Sequence, residues 1–312
     1  MSPDRRPRSE LGLGVRAGLV AYVVWGLLTI YWKQLHRFNA FELIGWRIVS
    51  AAVVMAIVIT VRGRWAVLAA AARNGQVVRR IALASSLLTA NWGAYVYAVV
   101  HDHVIETALG YFIAPLGTMV VGVVVLGERL GTLQKAAMVL AGIAVVVMTI
   151  SYGHPPVAAL VIATSWTLYG LLKRQVPLSP IESFAAETFV LLIPAVIGVA
   201  VVAASATSIP RSGTGIQLSF VALSGLATAV PLILFAFAAQ RVPFTMLGPM
   251  QYLVPSINLA LGWALYHEAM PWVRLVGFSL VWAALVLVTI DRIRHTMDAR
   301  PATAPIGPSP AR

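Results

Sequence analysis

The run LGYFIAPLGTMVVGVVVLGE, residues 109–128, places Pro115 in the middle of an apolar segment that Glu128 closes. Its length is close to the roughly 20 residues that a helix needs to cross the hydrocarbon core of a bilayer. A proline inside a helix removes the hydrogen bond to the carbonyl four residues earlier, which here belongs to Tyr111. The run therefore predicts a membrane-spanning helix that is disturbed near its middle.

Composition supports a membrane protein. Hydrophobic residues make up 59% of the 312 residues and charged residues 11%, whereas soluble domains contain roughly 45–50% and about 25%. The length accommodates many spans but no sizeable additional domain. Cysteine is absent, which excludes disulfides and thiol chemistry. The net charge of +12 has to be interpreted from where the basic residues lie relative to the spans.

Ten apolar stretches have lengths close to that of a membrane span, and they form two series of five. The stretches are residues 14–32, 41–61, 81–100, 104–126 and 134–151, followed by 156–172, 183–204, 218–240, 244–266 and 272–290. We therefore predict an all-α integral membrane protein with ten transmembrane helices. Residues 1–13 are predicted to form a basic tail and residues 292–312 a disordered tail.

The basic residues indicate the orientation of the chain. An even number of spans places both tails on one side, and seventeen lysines and arginines, Lys173 among them, lie in the tails and loops of that side. Four lie on the opposite side, and Arg16 and Arg47 lie within spans. Because cytoplasmic loops are enriched in lysine and arginine, both termini are predicted to be cytoplasmic. The excess of basic residues then reflects the membrane topology and not nucleic-acid binding.

The opening run has a counterpart in the second series of spans. The pairs that keep an offset of 140 residues are Pro115 with Pro255, Gly122 with Gly262, Glu128 with Glu268, and Glu42 with Glu182. The matches predict a five-helix unit used twice, as residues 14–151 and residues 155–291. Because five is odd, the second unit crosses the membrane in the opposite sense. Such an inverted repeat is typical of secondary transporters that work by alternating access.

Several motifs also resemble a known family. WGLLTIYWK, NWGAYVYAV, ALGYFIAPL, VVLGER and TAVPLILFAFAAQR followed by LGPMQYLVPSINL are similar to the RarD-type branch of the EamA transporters, in the drug/metabolite transporter superfamily. The resemblance runs from about residue 15 to residue 291. It implies two EamA units of five helices, a location in the bacterial inner membrane and transport of a small molecule. Members of the branch have an asparagine before the proline of the third motif, where this chain has Ala114.

The paired prolines are the first candidates for a transport site. Pro115 and Pro255 are predicted to free the carbonyls of Tyr111 and Gln251 from helical hydrogen bonds. A freed carbonyl at membrane depth is satisfied by a neighbouring group, by water or by a substrate. Each proline therefore marks either a kink that packing requires or a kink that also forms part of a site, and its presence in both repeats is an argument for the site.

Arg47 and Glu187 are ionisable residues inside predicted spans, where charges are costly and often functional. They occupy equivalent repeat positions with opposite charges. We expect no direct pair, because each lies near a different membrane face and the faces are about 30 Å apart. Arg47 is a candidate for holding an anion or for gating, and Glu187 is a candidate for proton coupling. The alternative for both is a side chain that reaches back to the interface.

Uncharged side chains complete the candidate set. Asn91 and Gln251 offer hydrogen bonds, although interhelical packing is the commoner use of such residues. Trp25, Tyr111 and Tyr252 offer rings that stack on a ring-bearing substrate, although aromatic residues in membrane helices more often fill the core or the interfacial belt. We predict that these side chains and the two ionisable ones line a shared cavity near the membrane midplane.

Two further features are interpreted structurally. Glu128 and Glu268 are predicted to end their helices, where a carboxylate opposes the helix dipole. We interpret them as pins to basic residues of neighbouring loops and not as transport groups. The segment HDHVIE, residues 101–106, contains potential metal ligands, but a helix cap formed by Asp102 is the preferred interpretation. No metal or cofactor is predicted.

The remaining motifs restrict the function class. The chain contains no G-x-x-x-x-G-K-[ST] phosphate-binding loop, which argues against an ATP-driven pump. Its histidines fall in loops or at span ends, which argues against an intramembrane enzyme. We predict a proton-coupled secondary transporter of a small metabolite or drug-like molecule, in the lipid bilayer, with a homodimer left open. The alternative is a non-transporting polytopic receptor or assembly factor.

Overall fold

Helices form every regular element in the part of the chain that the computed structural model describes. The described residues are 8–100, 104–152, 155–265, 267, 272, 275–277, 279, 280, 282–284, 286, 287 and 290. In chain order the helices are α1 (Arg8–Lys33), α2 (Ala40–Val61), α3 (Trp65–Arg73), α4 (Gly75–Val100), α5 (Val104–Val124), α6 (Thr132–Tyr152), α7 (Val157–Gln175), α8 (Pro180–Ala203), α9 (Ile209–Ser212), α10 (Gly215–Arg241), α11 (Phe244–Met250) and α12 (Leu253–Ala264).

These helices coincide with nine of the ten predicted spans. By length and composition, α1, α2, α8 and α10 are long and apolar enough to cross a membrane. The protein is therefore a multi-pass membrane protein, and the count of ten spans stays a prediction. The tenth predicted span, residues 272–290, lies only partly within the described residues. The short helices α3 and α9 were not predicted, and α3 rests on α8 through Trp65, which stacks on Phe189 at 5.6 Å between ring centroids.

Side-chain caps explain where several helices begin. The Asn39 side chain accepts hydrogen bonds from the first turn of α2, and Ser179 and Thr214 form capping boxes with Glu182 and Gln217 at α8 and α10. Such caps satisfy the amide groups that have no partner inside the helix. Helices α8 and α10 begin three residues before the starts predicted for their spans, residues 183 and 218. The reason is that the capped polar first turn is part of each helix.

Helices from the two halves interleave. Helix α1 packs on α10 and α12, α2 on α8 and α10, α4 on α7 and α8, and α5 on α7 and α11. The main core takes buried side chains from both halves, such as Tyr22, Met55, Leu88, Tyr169 and Phe235. The bundle therefore has one interior that neither half forms alone.

The two proline segments differ in structure. Helix α5 continues through Pro115, whereas the predicted span 244–266 is broken into α11 and α12. Pro249 and Pro255 remove two amide donors close together, so the helix cannot continue between them. The carbonyl of Gln251, which we expected to be free, accepts a hydrogen bond from the Val254 amide at 3.2 Å. The Gln251 carbonyl is therefore not free, and the second segment breaks where the first continues.

Helices α2 and α10 approach each other closely at Gly225. A Cβ atom at this position would lie 2.3 Å from the carbonyl carbon of Ser50 and 2.4 Å from the amide nitrogen of Ala51. The Gly225 amide also donates to the Ser50 hydroxyl at 3.0 Å. Small residues allow this kind of backbone contact between membrane helices. Gly225 thus sets the distance between α2 and α10.

Gly225→Ala is expected to destabilise the protein by about 1–3 kcal/mol, because the added methyl group must push α2 away. Gly198→Ala in α8 is the control, since no atom lies within 4 Å of its added Cβ. The control should be neutral or stabilising by about 0.5–1 kcal/mol, because alanine favours the helix over glycine. Thermal unfolding of the detergent-solubilised protein measures both, and equal effects would contradict the tight contact between α2 and α10.

Candidate functional site

A narrow cavity lies between α2, α4, α8 and α10. Its wall is mostly apolar and includes three polar side chains, those of Glu187, Thr188 and Thr228. The remaining lining residues are Ile48, Ala51, Leu88, Trp92, Phe184 and Leu191. Both halves of the chain contribute to the wall, so the cavity exists only because the halves interleave.

Glu187 is held at this cavity by a buried ion pair. Its Oε1 atom lies 2.6 Å from Nζ of Lys173, and both side chains are 0% exposed. The Ser183 hydroxyl donates to the same oxygen at 3.0 Å, and the Tyr169 hydroxyl donates to Oε2 at 3.0 Å. A buried carboxylate with a counter-charge and two further donors is fully satisfied. Glu187 therefore does not reach back to the interface.

Lys173 corrects a sequence-based prediction. We assigned it to a loop on the cytoplasmic side, but α7 extends to Gln175 and the lysine side chain is fully buried inside the bundle. The sequence contains a signal for this arrangement. Tyr169 and Lys173 lie four residues apart on α7, and Ser183 and Glu187 lie four residues apart on α8. Residues with this spacing share a helix face, so two polar faces meet here.

Arg47 lies beside the same cavity. Its Nε atom donates to the Thr228 hydroxyl at 3.2 Å, and its Cζ atom lies 4.5 Å from the Trp32 ring centroid and 4.9 Å from that of Trp92. Thr228 and Trp92 both line the cavity together with Glu187. The described contacts of Arg47 and Glu187 do not join them to each other, but shared neighbours bring both to one cavity.

Trp25 belongs to an aromatic cluster in the core. Its ring lies 5.3 Å from that of Trp166 and 5.9 Å from that of Phe235, measured between centroids. The Tyr169 ring, whose hydroxyl binds Glu187, stacks on Phe235 at 6.1 Å. The cluster thus connects α1, α7 and α10 to the ion pair, and Trp25 packs in the core instead of lining the cavity.

Gln251 joins three parts of the bundle. Its Oε1 atom accepts from the Trp166 indole at 3.1 Å, and its Nε2 atom donates to the Thr118 hydroxyl at 2.9 Å. Thr118 in turn donates to the carbonyl of Ala114 at 3.0 Å, and Thr167 donates to the same carbonyl at 3.4 Å. The side chain at the break between α11 and α12 is therefore tied to α5 and α7.

Asn91 and Tyr252 also make interhelical contacts. Asn91 donates to the carbonyl of Ile162 at 2.9 Å and so joins α4 to α7. The Tyr252 hydroxyl donates to the carbonyl of Phe112 at 3.1 Å, and the tyrosine is 1% exposed. Tyr111, by contrast, is 40% exposed.

The prolines lie at packing contacts. Helix α11 packs tightly on α5 at Pro115, since a Cβ on Gly248 would lie 2.6 Å from the Pro115 carbonyl oxygen. Pro255 is buried in α12. The predicted site residues therefore divide, with Arg47 and Glu187 beside the cavity and Trp25, Asn91, Gln251, Tyr252 and the prolines in packing contacts.

Glu128 lies at the start of another helix. Because α5 ends at Val124, the carboxylate lies beyond that helix and accepts from the amides of Phe244 and Thr245 at 2.9 and 2.8 Å. Arg174 donates to it at 3.2 Å. A negative charge is favourable at the N-terminus of α11, so the expected conflict with a helix dipole does not occur. Glu268 and residues 101–103 lie outside the described residues.

Glu187→Gln is expected to destabilise the protein by about 3–5 kcal/mol, because the Lys173 charge would stay buried without a partner. The double variant Lys173→Met/Glu187→Gln removes both charges and keeps an acceptor for Tyr169 and Ser183. It should therefore recover most of the lost stability. Thermal unfolding in detergent micelles measures both variants. An undisturbed single variant, or a double variant as unstable as the single one, would contradict the buried pair.

Comparisons with known proteins agree with the helical, membrane-embedded architecture. The model of the EamA-like transporter family matches residues 12–150 and 156–290. Protein RarD of Streptomyces exfoliatus is 41% identical, over 95% of this chain and 94% of its own length. The uncharacterized transporter YojE of Bacillus subtilis strain 168 is 34% identical, over 92% of this chain and 96% of its own length. A protein of known crystal structure, 16% identical, covers 89% of this chain and 97% of its own with a TM-score of 0.66, and supports the fold. The chain belongs to the EamA-like transporter family, as a RarD-type member.

Proposed function

We propose that this chain is a secondary active transporter that moves a small metabolite or drug-like molecule across the bacterial inner membrane, coupled to protons through Glu187. Its family makes it a membrane transporter of the drug/metabolite superfamily. The observation that carries the finer proposal is the buried ion pair of Lys173 and Glu187 at the wall of a cavity shared by both halves. Both termini are cytoplasmic in this proposal.

Alternating access between inverted halves is supported by the double match of the family model. It is also supported by two equivalent helix starts. Asn39 caps α2 and Ser179 caps α8, 140 residues later, and each cap is followed three residues on by a glutamate, Glu42 or Glu182. Inverted halves around a common site can rock against each other and expose it to either side.

The ion pair suggests how a proton would drive the movement. Protonation of Glu187 removes its charge and leaves Lys173 uncompensated in the bundle, which disfavours the arrangement with α7 and α8 held together. Release of the proton restores the pair. A ligand or proton that interacts differently with two arrangements shifts the population between them. Glu187 pairs with Lys173 and is one of the residues that line the cavity, so substrate binding in the cavity and protonation of Glu187 both act on α8.

Transport is tested with the purified full chain in liposomes that contain a pH-sensitive dye. An extract of small bacterial metabolites is added outside, the internal pH is followed, and the vesicle contents are analysed by mass spectrometry. We expect the wild-type protein to accumulate a subset of metabolites and to move protons with them. Lys173→Met/Glu187→Gln should lose the coupled proton movement. Lys135→Met, which removes an exposed lysine from α6, should retain it.

Three outcomes would contradict parts of this proposal. Accumulation without proton movement in the wild-type protein would exclude proton coupling and leave transport. Unchanged proton movement in the double variant would remove Glu187 from the coupling step. No accumulation of any metabolite would contradict transport and favour a receptor or assembly factor.

A further inference from the structure

Arg47 has an unusual set of neighbours for an arginine inside a membrane helix. It is the eighth residue of α2, so it lies roughly 10 Å along the helix from its start. Two indole rings, those of Trp32 and Trp92, lie within 5 Å of its guanidinium carbon. Aromatic rings at this distance stabilise a cation. They do not neutralise its charge.

The guanidinium has hydrogen-bond donors to spare. It carries five N–H groups, and in the described part of the chain only Nε is used, by the Thr228 hydroxyl at 3.2 Å. Four described glutamates pair with other bases, namely Glu10 with Arg241, Glu182 with Arg64, Glu128 with Arg174, and Glu187 with Lys173. Glu42 instead accepts from the Trp46 indole and the Ile209 amide. The two terminal nitrogens of Arg47 therefore lack a carboxylate among the described residues.

A charge in this position requires compensation. An uncompensated arginine within a span costs free energy, and the Lys173–Glu187 pair is neutral as a unit, so it does not supply the missing negative charge. Arg47 is partly exposed. Trp92 and Thr228, its immediate neighbours, form part of the cavity wall. Arg47 thus places beside the cavity a positive charge that lacks a carboxylate partner among the described residues.

We infer that Arg47 binds the carboxylate of a small organic anion, which is the substrate of the proposed transport. One guanidinium matches one negative charge, and its two terminal nitrogens match the two oxygens of a carboxylate in a bidentate arrangement. That the bound anion is a transport substrate rests on the proposed function, whereas the binding itself does not depend on transport.

The apolar body of the anion has aromatic surface to contact. Tyr95, one helical turn after Trp92 on α4, and Tyr111 of α5 form a pair of rings. Their rings lie 6.5 Å apart and are 39% and 40% exposed. Together with Trp92 they offer ring faces and edges next to the guanidinium. This arrangement favours a monocarboxylate with an apolar body over a phosphate dianion, because the site has one cation.

Binding is tested by thermal unfolding of the full chain in detergent with matched acids and amides. The probes are phenylacetate with phenylacetamide, indole-3-acetate with indole-3-acetamide, and hexanoate with hexanamide. A ligand that binds the folded state raises the unfolding temperature. We expect acids to raise it in the wild-type protein and the uncharged amides to have little effect.

Variants separate the site from general charge effects. Arg47→Gln should weaken binding of the acids roughly 30-fold or more, as expected when one partner of a charge pair is removed. Arg47→Lys keeps the positive charge and serves as the control for correct folding. It should bind the acids more weakly than the wild-type protein, because lysine lacks the bidentate geometry. Arg16→Gln is the control, since it removes an exposed arginine of α1, and it should bind like wild type.

The inference is overturned if acids and amides act alike, if no acid shifts the unfolding temperature, or if Arg47→Gln binds acids as wild type does. Flux in proteoliposomes distinguishes it from the proposed function. Acid binding without any flux keeps the anion site and contradicts transport. Metabolite flux that persists in Arg47→Gln with unchanged preference for acids keeps transport and overturns the anion site.

Discussion

The interior of this bundle depends on the ion pair between Lys173 and Glu187. The burial of two opposite charges is tolerated only when they lie at hydrogen-bond distance, here 2.6 Å. The pair therefore holds α7 against α8. Tyr169 extends the contact from Glu187 to the aromatic cluster of Trp25, Trp166 and Phe235. Glu187 is also one of the residues that line the cavity. The pair is therefore in contact both with the aromatic cluster that joins α1 and α10 and, through Glu187, with the cavity.

Most other polar side chains at this depth serve to join helices. Asn91 connects α4 to α7, and Gln251 connects the break between α11 and α12 to α5 and α7. In a bilayer an unsatisfied polar group costs several kcal/mol, so such side chains find partners on neighbouring helices. Arg47 differs because its charge is flanked by rings and lacks a described carboxylate partner. This difference separates a candidate binding residue from packing residues of similar polarity.

The two proline segments show how one motif can have two structural outcomes. Pro115 is tolerated in a continuous helix where Gly248 of α11 packs against it. Pro255 follows Pro249 closely, and the second segment breaks. A broken helix at the interface between halves is common in transporters with inverted repeats. Equivalent sequence positions therefore need not play equivalent roles during transport.

The sequence by itself determined the membrane environment, the positions of nine apolar helical segments and the family, because these follow from local hydrophobicity and from motifs that lie within single segments. It also singled out Arg47 and Glu187, since charges within apolar runs are conspicuous. It did not reveal Lys173, which lies near a helix end and looks like a loop residue until α8 covers it. Only the tertiary structure decided which polar residues pair and which face the cavity. The physical reason is that pairing depends on contacts between helices distant in sequence, which hydrophobic periodicity does not encode.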